Sequence, residues 1–171
     1  QAVRFPEDTV RPMGRATRGV IGVRLDDGDH VVAMDVVRPG ADLLVVSELG
    51  YGKRTDLNEY RVTNRGGKGV RTLQVVEKNG PIVAASVVRD GEEVMLISAE
   101  GIMIRMKVDD ISRQGRATQG VRLMRLDEND KVVAIAHVKQ REEEDDGDDG
   151  RGLQQPSIFG DETVNEPDGE A

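Results

Sequence analysis

The stretch Thr63–Leu73, TNRGGKGVRTL, gathers three glycines and three cations into eleven residues. Cations beside bare backbone are the ingredients of an oxyanion site. Arg65, Lys68 and Arg71 bring charge, and the amides of Gly66 and Gly67 can donate to phosphate oxygens because no side chain blocks the approach. Other chemistries find no support. The chain has no cysteine, which removes disulfides and thiolate metal sites. His30 and His137 lack partners at the spacing of a triad or a metal site. The paired acids Asp26–Asp27 and Asp109–Asp110 sit at turns and strand ends. No catalytic and no metal-ligating residue is assigned, so the chemistry on offer is electrostatic.

The glycine loop is one copy of a repeat. Gly14–Val37, GRATRGVIGVRLDDGDHVVAMDVV, returns as Asn64–Val88 and again as GRATQGVRLMRLDENDKVVAIAHV over Gly115–Val138. Upstream, Val10, Tyr60 and Ile111 are equivalent. Gly19, Gly69 and Gly120 close the loop in every copy, as expected of positive φ or close backbone approach at a turn entering a strand. Turn geometry explains the glycines. It does not require an arginine four residues earlier, yet Arg15, Arg65 and Arg116 all stand there. Arg18 and Lys68 are likewise equivalent, with Gln119 in the third copy.

The elements that position these loops read as strands. HVVAMDVV, PIVAASVV and KVVAIAHV are rich in β-branched residues, as are DLLVVS and EVMLIS. DDGD, EKNG and DEND between them suit hairpin turns. Helical periodicity is absent, so the class is all-β. About four short strands in about 50 residues is the size of a propeller blade. The expected organisation is a partial propeller-like ring over 1–139, with units at about 1–50, 51–101 and 102–139, followed by a tail over 140–171. The chain starts at Gln1 and holds nearly three units, so it reads as part of a longer sequence whose preceding portion supplies the remaining units and the closing strand.

The net charge of −8 averages two unlike parts. Residues 140–171 carry two basic and twelve acidic residues, whereas residues 1–139 carry 22 basic and 20 acidic ones. Dense like charge with little to bury makes the tail an expected disordered segment. The tail is also a candidate competitor for the cations. No apolar run approaches the length of a membrane helix.

One cationic loop per unit, at matching positions, predicts a belt of charge on a common rim. Arg15, Arg18, Lys53, Arg54, Arg61, Arg65, Lys68, Arg71, Arg105 and Arg116, with the backbone of Gly66 and Gly67, are the candidate contacts to the phosphates of double-stranded DNA. With four aromatics in the chain and no recognition helix, base readout is not expected. Binding would be indifferent to sequence and set by how easily the duplex bends. A rival of another class is a protein-interaction propeller whose cations are incidental.

Gly14–Val138 resembles the C-terminal domain family of the DNA gyrase A subunit, a β-pinwheel that wraps DNA. GYGKRTDLNEYRVTNRGGKGV and DISRQGRATQGVRLMRLDENDKVVAIAHV carry the resemblance. Of the family's Gln-Arg-Arg-Gly-Gly-Lys-Gly box, Arg65, Gly66, Gly67, Lys68 and Gly69 match the last five positions, while Thr63 and Asn64 replace the leading Gln and Arg. The loop is thus similar to a degenerate box in a later unit. The A subunit of topoisomerase IV is the sister alternative. The resemblance implies a cytoplasmic, nucleoid-associated type II topoisomerase that introduces negative supercoils. It further implies an A2B2 assembly with the rest of the gyrase A subunit and with the gyrase B subunit, the latter holding ATP and magnesium. This chain itself would carry no catalytic residue.

Overall fold

The computed structural model describes residues 1–138; the expected acidic tail lies outside the described residues. The described strands are β1 (Asp42–Ser47), β2 (Tyr51–Asp56), β3 (Ile82–Val88), β4 (Glu93–Ser98), β5 (Met103–Lys107), β6 (Val121–Arg122) and β7 (Val132–Val138). They form two antiparallel sheets with the orders β3-β1-β2-β6 and β5-β4-β7. The all-β propeller-like class holds.

Strand chemistry explains the layout. In β4, EVMLIS, burial alternates along the strand and puts Val94, Leu96 and Ser98 inside, as a two-residue period requires. β1, DLLVVS, is buried at every position except the half-buried Leu43, because it lies between β3 and β2. The main core joins both sheets through Leu44, Val46, Val88, Val94, Leu96 and Ile111. Each such side chain contributes about 1.5–3 kcal/mol on burial. Tyr60 and Ile111 are core residues, whereas their equivalent Val10 is exposed.

Two features of the pairing bear on the sequence reading, and the second departs from it. The repeat boundary near residue 50 does not divide sheets: β1 and β2 form a hairpin with Val46 opposite Gly52. Gly50 N–H donates to Ser47 O, and Ser47 Oγ donates to Tyr51 O, which closes the turn inside one sheet. The second is HVVAMDVV, expected as a strand and found outside any ladder among the described residues. β3 and β7 each pair with the strand that opens their own sheet, Val88 opposite Asp42 and Val138 opposite Glu93. Among the described residues no strand pairs with HVVAMDVV, and Met34 is 86% exposed.

The units are coupled by a lent strand. β6 comes from the third repeat yet pairs with β2, Val121 opposite Gly52. At the equivalent place Val70 pairs with Ala2 through two 2.8 Å backbone hydrogen bonds. The preceding glycine makes this docking feasible. Gly69 and Gly120 have φ of +81° and +78°, and a Cβ there would stand 2.4 Å from Ala2 O and 2.7 Å from Gly52 O. Both expected reasons for glycine therefore apply at once.

Candidate nucleic-acid interface

The lent strands bring the second and third cationic loops against the unit before them, and this decides which cations remain available. Arg65 Nε donates to Thr9 O at 2.9 Å and its Nη1 to Ile21 O at 3.1 Å. Arg116 Nη1 donates to Arg71 O at 3.1 Å. Ile21 and Arg71 are equivalent repeat positions, so the periodic arginine is a staple between units. Arg15, the first member of the series, is exposed, as is Arg18.

Besides Arg65 and Arg116, four more expected phosphate contacts have partners within the chain, and for the enclosed Lys53 and Arg54 the sequence reading is corrected. Lys53 is fully buried. Its Nζ donates to Gly115 O at 2.5 Å, Arg116 O at 2.7 Å and Thr118 Oγ1 at 3.0 Å. Burial, opposed by Glu59 and reinforced by Arg116, brings this ammonium down to about 8. Arg54 Nε donates to Ile111 O at 2.8 Å, and its guanidinium pairs with Asp42 and Asp90. Gly66 N–H is taken up by Gly22 O at 2.7 Å. Arg105 pairs with Glu93 across the β4–β5 ladder, Nε to Oε2 at 3.1 Å, although its side chain stays 57% exposed.

The acid at the centre of the Arg54 cluster is Asp42, 2% exposed. It accepts both Nε and Nη2 of Arg113 at 2.9 and 2.8 Å, a bidentate clamp between units. That hydrogen-bonded carboxylate raises the Arg113 guanidinium above its ordinary range. Arg54 holds Asp90 below the ordinary carboxylate range by the same means. Arg4, the repeat equivalent of Arg54, likewise donates to carbonyls of the following unit, Leu57 O at 2.7 Å and Tyr60 O at 3.3 Å.

What remains open is concentrated beside the glycine loop. Arg61, Lys68 and Arg71 are exposed. A cavity of about 390 Å³ lies between the N-terminal segment and the loop, lined by Arg4, Arg61, Thr63, Gly67, Lys68 and Gly69 among others. None of the described residues lining it is acidic. Lys68 meets the exposed Asp26 at 2.7 Å, side chains 67% and 74% exposed, and that contact lowers the Asp26 carboxyl. A surface pair of this kind is weak, so the ammonium can exchange partners with an incoming anion.

A second cationic site escaped the sequence reading. Tyr51 sits between Lys78 Nζ, 5.2 Å from its ring centre, and the Arg122 guanidinium at 5.3 Å. Arg122 Nη2 also donates to Tyr51 Oη at 2.9 Å. These residues edge a cavity of about 820 Å³ that Glu48, Asp127 and Asp130 also line, so its charge is mixed. The available signal was repeat equivalence, since Arg122 occupies the position of Arg71.

One cluster mimics hydrolytic machinery. His137 Nε2 lies 2.6 Å from Ser86 Oγ, and Glu92 lies 3.8 Å from His137 Nδ1. Ser86 Oγ donates its proton to Asp35 Oδ2 at 2.9 Å, so the hydroxyl is an acceptor toward the imidazole and no nucleophile is being activated. The cluster instead ties together the three repeats.

Known proteins share this architecture. A family model described as the DNA gyrase C-terminal domain, beta-propeller, matches residues 1–38, 41–89 and 92–139. The A subunit of DNA gyrase from Staphylococcus aureus (strain MRSA252) is 44% identical over 170 residues, covering 94% of this chain and 19% of the relative. The chain thus spans about a fifth of the curated relatives it matches. A solved DNA gyrase A C-terminal domain superposes with a TM-score of 0.75 at 32% identity, covering 79% of this chain and 46% of that one. The C-terminal domain of a DNA topoisomerase IV superposes with a TM-score of 0.74 at 26% identity, covering 79% and 42%.

Proposed function

The chain belongs to the DNA gyrase C-terminal domain family, and we propose from that premise that it binds duplex DNA through backbone phosphates, without sequence preference, and wraps it along successive units. The observation that carries this reading is the acid-free cavity at the glycine loop, with Arg61 and Lys68 open to solvent at its edge. Arg71, Arg15 and Arg18 are further exposed cations. Cations there displace counterions from the duplex, a term that carries no base information. Bending costs on the order of 1–6 kcal/mol and is offset by contacts on successive units.

The parent protein in this proposal is a type II topoisomerase that uses ATP to introduce negative supercoils in the cytoplasm. The duplex carried by these units is fed toward a gate formed by the rest of the gyrase A subunit and by the B subunit in an A2B2 assembly. ATP and magnesium belong to the B subunit, so no step of that chemistry falls to the residues described here. Topoisomerase IV is the second reading, favoured by the superposition on its C-terminal domain.

Ligating nicked circular DNA in the presence of the full chain tests the wrapping. A linking-number distribution displaced from that of naked circles is expected. An unchanged distribution at saturating protein rejects the proposal, and binding of a polypeptide with no salt-dependent affinity for duplex favours the interaction-propeller rival.

A further inference from the structure

The joint between consecutive units is made twice within the chain, Val70 against Ala2 and Val121 against Gly52. The chain also carries one further lending segment and one further receiving edge, and among the described residues neither is filled. We propose that these two halves meet between copies of the chain: the first-repeat segment 19–23 of one copy is lent to the outer edge of β5 in a second copy, independently of any nucleic acid.

The receiving edge is β5, the repeat equivalent of β2 and an outer strand of its sheet. Gly50, Tyr51 and Gly52 are buried beneath the lent strand, whereas Gly101, Ile102 and Met103 at the same places are exposed. An apolar edge with free backbone is a template for another strand. At the observed joint Leu123 and Met124 donate their N–H groups to Gly50 O at 2.8 and 3.1 Å. Gly101 keeps the positive φ, +85°, and nothing stands within 4 Å of where its Cβ would be. The lending segment is its counterpart. Gly22 and Val23 occupy the places of Leu123 and Met124, and their N–H groups have no acceptor among the described residues.

The residues that would face each other are matched in size. A Cβ on Gly52 would stand 2.5 Å from Leu123 Cδ1, so a large residue on the lent strand is met by none on the edge. The corresponding pair is Ala2 with Thr72 at the first joint and Met103 with Gly22 at the joint between copies. Bulk gained on one side is given up on the other. The observed register, Tyr51 opposite Arg122 and Gly52 opposite Val121, sets Ile102 opposite Ile21 and Met103 opposite Val20, apolar cross-strand pairs. Ile21 is 66% exposed and Met103 59% exposed in the single chain. The arginines follow the same logic. Arg54 and Arg4 reach carbonyls of the following unit, while Arg105 at their place turns back onto Glu93. A second copy offers Arg105 the carbonyl of Val10, the equivalent of Ile111. It offers Arg15 the carbonyl of Arg122, as Arg71 O serves Arg116. Because the two halves are different surfaces, the contact runs head to tail and can extend past a dimer.

Sedimentation velocity of the full chain without DNA, over rising concentration, tests this. The mass is expected to climb beyond two copies. Gly22→Leu meets only Phe5 Cζ, at 4.0 Å, within its own copy, and is expected to weaken association about tenfold or more by crowding Met103. Gly22→Leu with Met103→Gly reproduces the pair seen at Leu123 and Gly52, and is expected to restore association to within about threefold of the parent chain. In the parent chain, amide exchange at Gly22 and Val23 should slow with concentration while that at Leu123 and Met124 stays constant. A chain that is monomeric throughout its soluble range overturns the proposal. So do association indifferent to Gly22→Leu, a double variant no better than Gly22→Leu, and exchange at Gly22 and Val23 that ignores concentration. None of these readouts involves duplex binding, so the DNA reading stands or falls separately.

Discussion

The Lys53 ammonium is enclosed by three oxygens of the following unit, and its removal takes a charged donor from all three, of which Gly115 O keeps the N–H and Oγ1 of Thr118. Lys53→Met is therefore expected to cost about 1–3 kcal/mol in chemical denaturation. The sign of its pH dependence follows from the lowered value of about 8 against an ordinary 10.5. Between those two values the unfolded chain holds a proton that the folded chain has released. Stability contributed by this residue thus rises with pH through that window and is smallest below it. The denaturation midpoint of the parent chain should gain on that of Lys53→Met between about pH 8 and pH 10, whereas equal drift of the two would exclude the assignment. Asp42 poses the converse case, a buried carboxylate clamping Arg54 and Arg113. Asp42→Ala strands two guanidinium groups at the unit joint, and an expected loss of about 3 kcal/mol is readable as a lowered midpoint.

At the scale of elements, the lent strand depends on glycine for two separable reasons. Gly19 has φ of +77° and open space where a Cβ would stand, while Gly120 combines φ of +78° with Gly52 O only 2.7 Å from that position. Gly19→Ala should cost about 1 kcal/mol from backbone conformation alone. Gly120→Ala should cost clearly more and loosen the β2–β6 pairing, seen as faster amide exchange at Val121. Similar costs at the two sites would contradict the docking account. The repeat, the strands and these glycines were legible in the sequence because period, β-branching and positive φ all leave local signatures. The division of cations into staples and open contacts was not. Lys53 and Arg61 look alike in sequence, but the groups that capture Lys53, Arg54, Arg65 and Arg116 include backbone carbonyls of a neighbouring unit, and a carbonyl has no residue identity. HVVAMDVV was misread for a related reason, since strand character needs a ladder partner as well as a suitable composition.

For the whole molecule, Arg65 and Arg116 act as couplings between successive units, and the charge that the proposed function offers to phosphate is what those couplings leave over. The twelve acidic residues of 140–171 share the chain with that charge. Tethered carboxylates compete at high effective concentration, so ending the chain at Lys139 is expected to tighten duplex binding at low salt, and unchanged or weaker binding would dismiss the competition. The most direct measurement of the central claim is the affinity of the full chain for two duplexes of unrelated sequence from low to high salt. Log K is expected to fall linearly with log salt along the same line for both. An affinity that ignores salt, or that belongs to one of the two sequences, would contradict phosphate-led binding.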